Sequence, residues 1–472
     1  MVFSSLIFLC VFFPLIFCLH TAIPAIKVRN ALLIMASLFF YAFGEPVYVF
    51  LMVISAFLNY LCAVLMEKAN SKVILTAAVI INIGILCVFK YIGFFVATIN
   101  DILRLHITVP QIALPIGISF FTFQALSYVI DVYRRQVAVQ KNFGKVLLYI
   151  SFFPQLIAGP IVKYRDIACE IDSRSVGLKE AASGMRRFIC GLAKKVLIAN
   201  TMAVAADQAF GQELGSLNIL SAWIGAVSYT MQIYYDFSGY SDMAIGLGQM
   251  FGFHFKENFK HPYSSLTIKE FWRRWHISLS SWFKEYVYIP LGGNRKGKLR
   301  TGINKITVFF LTGLWHGANW TFVVWGLFHG AFSFLEEFVP AIRKLPRFLL
   351  HIYTMCTVIV GFVIFRADTL YQAFGFIGKM FAGCDFTAAS MSFACQMMTP
   401  HLLVMLIAAV IGCGPVRSLT VRLRLLSKKE EKLAPRENFV EVILYTAAFL
   451  LLLWCIIRLS GGSYNPFIYF RF

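Results

Sequence analysis

Charged residues are scarce in this chain. Of its 472 residues, 14% are Asp, Glu, Lys or Arg and 59% are hydrophobic. Soluble domains carry about 25% charged and about 45–50% apolar residues, so this composition excludes an ordinary water-soluble fold. Aromatic residues make up 16% of the chain, which suits rings at lipid-facing and interfacial positions. We therefore expect a multi-pass membrane protein in contact with the lipid bilayer.

Acidic residues are the scarcer of the two signs, with 23 Asp and Glu against 43 Lys and Arg and a net charge of +20. The positive excess fits cytoplasmic loops that face anionic lipid. No basic, water-soluble module interrupts the apolar segments, so we do not expect nucleic acid as a partner. The 11 cysteines include no CxxC pair, so metal and redox motifs of that kind are lacking.

The distribution of basic residues predicts the sidedness of the chain. Lys27 and Arg29 follow the first apolar run at 3–24, which has no basic segment before it and is expected to be a retained span. A basic run at 417–436 precedes the last apolar segment. By the positive-inside rule the N-terminus and the C-terminal tail are expected outside and the 417–436 run inside.

The apolar segments show neither an internal repeat nor a soluble insertion, so we expect one membrane domain over 1–472. A span needs about 20 apolar residues, which predicts about 10–12 crossings, with 218–251 long enough for two. Segments 151–160 and 311–320 contain Gly or Pro beside polar side chains. Irregular backbone at membrane depth must be buried in protein or line a cavity, so both segments are expected to be re-entrant.

The stretch 254–305 is too charged to span, with 11 basic and three acidic residues. It also contains Trp272, Trp275 and Trp282, and its apolar residues recur at helical spacing from 267 to 288. This pattern predicts amphipathic helices that lie in the membrane interface. The alternative is a cytoplasmic loop, in which so many exposed tryptophans would be costly.

Of the nine histidines, three matter most for function: His276, in the interfacial stretch, and His316 and His329, in apolar segments. An ionisable side chain within a membrane usually faces a cavity or a proton relay, and histidine exchanges protons near neutral pH. His316, in the 311–330 segment, is the strongest candidate for a catalytic base. The alternative is a structural histidine bonded to a neighbouring helix. His276 could instead be solvated at the interface, and for His329 a structural hydrogen bond is favoured.

Two further groups of charged residues have competing interpretations. Asp236 and Asp242 could form a metal pair, but ion pairs with nearby Arg or Lys are favoured because a spacing of six does not place both on one helical face. The second group could bind an anionic donor such as a CoA phosphate or, alternatively, lipid headgroups. Its members are Arg273, Arg274, Lys284, Arg295 and Lys296.

Four long motifs carry a resemblance to a known family. They are FFPQLIAGPIVKY (152–164), YYDFSGYSDMAIGLGQMFGF (234–253), FWRRWHISLSSWFKEYVYIPLGGNRKG (271–297) and GLWHGANWTFVVWGLFHG (313–330). Together they resemble membrane-bound O-acyltransferases (MBOAT), and the likeness extends to the C-terminal FIYFRF. PLGGNRKG points to the branch of bacterial polysaccharide and peptidoglycan O-acetyltransferases that includes alginate O-acetyltransferase.

The resemblance implies an all-α MBOAT-type bundle around a central tunnel, with the interfacial helices at 254–305. It implies that His316 and His276 are catalytic. The residues implied to contact substrate are Gln155, Arg273, Arg274, Trp275, Trp315 and Asn319. No metal or tightly bound cofactor is expected, and the donor substrate is acetyl-CoA or another acetyl thioester.

The implied function is transfer of acetyl from a cytoplasmic thioester across the bacterial cytoplasmic membrane to a surface polysaccharide. An extracytoplasmic SGNH-like partner is expected, because a long glycan cannot thread a narrow tunnel. Whether the direct acceptor is the glycan or a hydroxyl of the partner stays open. Two alternatives are D-alanyl transfer to teichoic acid and a non-enzymatic glycan or lipid transporter, although no paired broken helices typical of transporters are visible.

Overall fold

The protein was analysed as a computed structural model that describes residues 1–69, 71–414, 434–462, 464–466 and 468. Helices account for nearly all the regular structure, and no strand occurs among the described residues. The prediction of an all-α polytopic protein is therefore confirmed. The chain divides into two compact units, Met1–Phe188 with Tyr240–Glu257, and Ile189–Gly239 with Asn258–Phe472. A single functional domain over 1–472 stays a prediction.

The helices that begin in the first unit alternate between long apolar helices and short connecting ones. They are α1 (Phe8–Ala22), α2 (Ile26–Ala42), α3 (Tyr48–Ala69), α4 (Lys72–Leu103), α5 (Ile118–Tyr133), α6 (Phe143–Ser151), α7 (Phe153–Leu156), α8 (Tyr164–Asp172) and α9 (Leu178–Phe210). Phe8, Phe40, Phe153 and Phe188 place their ring centroids 5.6–6.3 Å apart in neighbouring pairs. This aromatic cluster joins α1, α2, α7 and the start of α9.

The backbone at 151–160 is irregular and buried, as expected for this segment. Helix α6 ends at Ser151, and α7 has only four residues. Every residue from 151 to 164 is buried. A Cβ on Gly159 would lie 2.6 Å from the Cα of Gln155, so only glycine allows this turn to close. The break therefore lies where the protein itself shields the backbone from lipid.

Ion pairs between the two chain segments of the first unit stabilise that unit. The Arg187 guanidinium lies 2.8 Å from Asp242 and 2.6 Å from Glu257. The ring nitrogens of His254 lie 2.8 Å from Glu170 and 2.5 Å from Glu180. The hydrogen bond to Glu170, reinforced by Glu180, raises the pKa of His254 above its ordinary value despite partial burial.

The second unit contains the remaining helices and the C-terminal part of α9. They are α10 (Ile219–Met250, which ends in the first unit), α11 (Ile268–Arg274), α12 (Ile277–Phe283, continued by a π-helical turn at Lys284–Tyr288), α13 (Gly297–His316), α14 (Trp320–Phe338), α15 (Arg347–Arg366), α16 (Leu370–Ala382), α17 (Ala388–Met397), α18 (Pro400–Gly412) and α19 (Ala434–Ser460). Segment 218–251 was expected to be long enough for two spans, but it forms one continuous helix, α10.

Helices α13 and α14 form a tight antiparallel hairpin. A Cβ on Gly313 would lie 2.3 Å from the carbonyl oxygen of Phe322, and one on Gly326 would lie 2.4 Å from that of Phe309. Neither position has room for a side chain, so the two glycines allow the backbones to approach closely. The hairpin turns between His316 and Trp320, which confirms a break in the 311–320 segment.

Within the part of the chain that the structure describes, five helical segments are long and apolar enough to cross a membrane, or six if the bent pair α17 and α18 forms one span. The five are Tyr48–Lys68, Lys72–Leu103, Leu178–Phe210, Arg347–Arg366 and Glu441–Ser460. These helices support the multi-pass prediction, whereas the number of 10–12 crossings stays a prediction. Most of the basic run at 417–436 lies outside the described residues, so the predicted sidedness also stays untested.

We expect Gly326→Val to destabilise the hairpin, because the new side chain would overlap the α13 backbone. Overpacking of this kind typically costs about 1–3 kcal/mol, which should lower the unfolding temperature of the detergent-solubilised protein. Gly378→Val is the matched control, since nothing lies within 4 Å of a Cβ at that helical position. Equal unfolding temperatures for the two variants would contradict the packing interpretation.

We also expect the stability contributed by His254 to depend on pH. Because its pKa is raised in the folded protein, the contribution is fully present below the unfolded value of about 6.5 and is lost as pH rises through the folded pKa. The difference in unfolding temperature between wild type and His254→Gln should therefore be largest at acidic pH and shrink above neutrality. A difference that grew with pH would contradict the assignment of the two glutamate partners.

Candidate active site

A small cavity in the second unit contains the main candidate residue, His316. Its volume is about 20 Å³, enough for about one water molecule. The lining consists of Ile233, Phe237, Trp275, His316, Trp325, Phe362, Phe365 and Ile468. Among these eight residues only His316 is ionisable. An apolar pocket with one proton-exchanging group is a suitable environment for acid–base chemistry from which bulk water is kept away.

His316 is the last residue of α13, and aromatic rings pack against its imidazole. The ring centroids of Trp325 and Phe365 both lie 5.1 Å from that of the imidazole, at interplanar angles of 89° and 81°. Such edge-to-face contacts are favourable and directional. The side chain is 9% exposed and lines the cavity. The imidazole is therefore almost completely enclosed by protein.

The interfacial stretch brings Trp275 into the same cavity. Segment 267–288 is helical as predicted, but it is broken at Trp275 and His276 into α11 and α12. The carboxylate of Glu336, on α14, accepts from the backbone N–H groups of Ile268 and Lys269 at the start of α11, at 2.6 and 3.1 Å. A carboxylate at a helix N-terminus is stabilising, and this contact fixes α11 against the hairpin that carries His316.

His276 occupies the break itself, with φ at +43° in the left-handed region. Non-glycine residues rarely adopt this conformation, which costs about 1–3 kcal/mol where the surroundings impose it. The side chain is 1% exposed, and its ring centroid lies 4.5 Å from that of Phe237. His276 does not itself line the cavity, but it packs against a residue that does.

Hydrogen bonding determines the tautomer of His276. Its Nδ1 lies 3.2 Å from Oδ1 of Asn258, an atom that also accepts from the backbone N–H of Ser278 at 3.1 Å. Because this atom accepts, Nδ1 must carry the proton, which leaves the lone pair on Nε2. Burial lowers the pKa of His276 to about 3, so the ring is neutral at physiological pH.

Trp315 lies between the two candidate histidines. Its ring centroid is 6.0 Å from that of His276 and 5.0 Å from that of His316. The structure therefore brings His276, His316, Trp275 and Trp315 into one neighbourhood within the second unit. Their assignment to catalysis and substrate binding stays a prediction, although the arrangement supports a direct role for His316 and an orienting role for His276.

Other predicted substrate contacts have structural partners. Asn319 is the N-cap of α14, where its Oδ1 accepts from the N–H of Thr321 at 3.1 Å and its Nδ2 donates to the carbonyl of Asp368 at 2.9 Å. Arg274 lies 2.6 Å from Glu270, whereas Arg273 is exposed. Gln155 lies in the first unit, where its amide donates to the carbonyl of Tyr149. The assignment of these residues to substrate contact stays a prediction.

The remaining polar candidates contact other parts of the protein. His329 is 1% exposed and packs its ring against Gly361. Its Nδ1 has no hydrogen-bond partner among the described residues, and the predicted structural hydrogen bond of His329 stays a prediction. Asp236 pairs with Lys195 at 2.8 Å and Asp242 pairs with Arg187. These contacts support the ion-pair interpretation of the two aspartates.

The sequence alone did not identify several of the residues that line the cavity. Phe237 and Trp325 lie within the recognised motifs, but an aromatic residue in an apolar segment gives no separate signal of a site. Phe362 and Phe365 lie on α15, outside the four motifs that resemble the family. Ile468 belongs to the C-terminal FIYFRF, whose likeness to the family was the one available signal of a role for the tail.

Comparison with known proteins identifies the family of the chain. The model of the MBOAT, membrane-bound O-acyltransferase, family matches residues 46–371. A probable alginate O-acetylase of Azotobacter vinelandii is 38% identical over the whole of both chains. The peptidoglycan O-acetyltransferase of Helicobacter pylori is 35% identical, over 93% of this chain and 91% of its own length.

A more distant relative is the teichoic acid D-alanyltransferase of Bacillus subtilis. It is 28% identical, over 68% of this chain and 83% of its own length. The family model covers more than half of the chain and includes both His276 and His316. The chain therefore belongs to the MBOAT family and is a membrane O-acyltransferase.

Proposed function

We propose that this enzyme moves an acetyl group from a cytoplasmic thioester, acetyl-CoA or a related donor, to a hydroxyl group for O-acetylation of an extracytoplasmic polysaccharide. The observation that carries the proposal is the position of His316 at the wall of a small aromatic cavity in an O-acyltransferase. The relatives named as alginate and peptidoglycan acetylating enzymes support acetyl as the acyl group and a polysaccharide as its destination.

The chemistry needs one group that both accepts and returns a proton. The acceptor oxygen attacks the thioester carbonyl carbon while neutral His316 takes the hydroxyl proton. A C–O bond forms, the C–S bond breaks, and the imidazolium returns the proton to the leaving thiolate. The products are an ester and a free thiol. General acid–base assistance of this kind contributes about 10²–10⁴ to the rate.

The cavity lining suits this reaction. Seven apolar side chains surround His316 and exclude bulk water, which would otherwise hydrolyse the thioester. A volume of about 20 Å³ favours a short acyl group over a long one. His276 and Trp315 act as positioning residues, because the neutral His276 ring packs on Phe237 and Trp315 lies between the two imidazoles.

Donor binding is proposed at the basic end of α11. Arg273 is exposed and can meet the phosphates of a CoA-type donor, whereas Arg274 is held by Glu270. Arginine is suited to phosphate because its planar guanidinium can form two parallel hydrogen bonds. We expect Trp275, which follows directly in the chain and lines the cavity, to contact the acyl end of the same donor.

The direct acceptor is proposed to be a hydroxyl of an SGNH-like partner outside the bacterial cytoplasmic membrane. A polysaccharide is far too large for a cavity of about 20 Å³, whereas one side chain of a partner could approach its mouth. The partner would then pass acetyl to the glycan. Such a relay explains how a small membrane site can serve a polymer at the cell surface.

We expect His316→Ala and His316→Asn to abolish O-acetylation, because neither side chain can accept and return a proton. Cells that lack the gene are complemented with wild type or variant at matched membrane levels, and acetate released from surface glycan by mild base is measured. His106→Ala, at an exposed histidine of the first unit, is the matched control and should restore the wild-type amount.

Each outcome distinguishes one interpretation. Acetylation restored by His316→Ala would show that His316 is structural and would overturn the mechanism. Release of D-alanine in place of acetate would favour the teichoic acid alternative. If wild type restored no ester on any glycan, the proposed function would be wrong, and a transporter or a non-glycan acceptor would take its place.

A further inference from the structure

A buried ion pair in the second unit has no role in the mechanism above. Nζ of Lys195, on α9, lies 2.8 Å from Oδ1 of Asp236, on α10, and the two side chains are 3% and 1% exposed. Burying two charges costs several kcal/mol per ion unless their remaining hydrogen-bonding groups are also satisfied. The partners that satisfy them therefore show what this pair stabilises.

Those partners belong to the C-terminal segment. The backbone N–H of Ile468 donates to Oδ2 of Asp236 at 2.9 Å, and Nζ of Lys195 donates to the carbonyl oxygen of Pro466. Hydrogen bonds to ionised groups are roughly twice as strong as those between neutral groups. The ion pair thus holds both sides of a short stretch that we call the C-terminal strap, defined by Tyr464, Asn465, Pro466 and Ile468.

Two further contacts fix the start of the strap. Nδ2 of Asn200, on α9, lies 3.1 Å from Oδ1 of Asn465, and the hydroxyl of Tyr464 donates to Oδ2 of Asp207 at 2.7 Å. Asp207 is also paired with the guanidinium of Arg366, at the end of α15. All four described residues of the strap are therefore held by side chains of α9 and α10.

The strap ends at the cavity of His316. Ile468 is 5% exposed and lines that cavity. The other lining residues lie on helices or at the α11–α12 break, and all but Ile233 and His316 are bulky aromatics. Ile468 is instead held in the cavity wall by hydrogen bonds of the strap to Asp236 and Lys195. The position of the Ile468 side chain, which these two hydrogen bonds fix, limits the volume that remains beside His316.

We propose that Ile468 is a specificity-determining residue that limits the length of the acyl group, and that Lys195 and Asp236 are its positioning residues. This inference deepens the proposed function and rests on it. The free space beside His316 ends at the Ile468 side chain, so each methylene beyond acetyl requires a larger displacement of that side chain. One methylene in an apolar pocket is worth about 10–200-fold in discrimination.

The test uses inside-out membrane vesicles that carry the full chain. Radiolabelled acetyl-, propionyl- or butyryl-CoA is supplied, and the hydroxylamine-labile ester formed on the endogenous acceptor is counted. We expect wild type to prefer acetyl, and Ile468→Ala to raise the propionyl-to-acetyl ratio about tenfold because it removes most of the side chain from the cavity wall. Ile468→Phe should reduce transfer from all three donors.

Further variants separate specificity from stability. Ile364→Ala is the matched control, because Ile364 is equally buried in the core of this unit but does not line the cavity. Its ratio should equal that of wild type even if total transfer falls. Asp236→Asn removes the charge that holds the strap and should raise the ratio in the same direction as Ile468→Ala. Ile468→Val, with one methyl fewer, should give a smaller rise if the alanine variant does not fold.

The outcomes distinguish this inference from the proposed function. An unchanged ratio in Ile468→Ala or Ile468→Val, with acetyl transfer intact, would overturn the inference and leave the acetyltransferase proposal standing. A raised ratio in Ile364→Ala would also overturn it, because any loss of packing would then relax the preference. Absence of ester from wild type with every donor would contradict the proposed function itself.

Discussion

The constraint on which this structure depends is the need to satisfy every backbone polar group in an apolar solvent. Long helices meet that need internally, whereas irregular backbone at membrane depth must be covered by other parts of the protein. The turn after His316 and the α11–α12 break at Trp275 and His276 are two such places. Both breaks carry candidate site residues of the second unit. The irregular backbone therefore lies where the reaction is proposed to take place.

The close approach of α13 and α14 shows why this arrangement needs particular residues. Gly313 and Gly326 let the two backbones meet, and the hairpin then presents His316 next to Trp325. Glu336, farther along α14, caps the N-terminus of α11 and so fixes Trp275. One helix therefore orients residues from two separate motifs, which explains how distant stretches of the chain converge on a single small cavity.

Much of this could be predicted from local patterns. Low charge and long apolar runs predict helices in a membrane, and a histidine between glycines in an apolar segment predicts a functional break. Contacts made over long distances in the chain could not be predicted in the same way. The hydrogen bond from Asn319 to the carbonyl of Asp368 is one example. The continuity of α10 was hidden because apolar composition does not reveal where a helix ends.

The C-terminal strap is the clearest case of information absent from local patterns. Tyr464 bonds to Asp207, whose other partner is Arg366, and Ile468 bonds to Asp236, whose other partner is Lys195. Removing one partner of a buried charge costs far more than a surface contact contributes. The helices thus carry charged groups whose hydrogen bonds are completed by residues of the C-terminal strap. Ile468 of the strap is for that reason an integral part of the core beside His316.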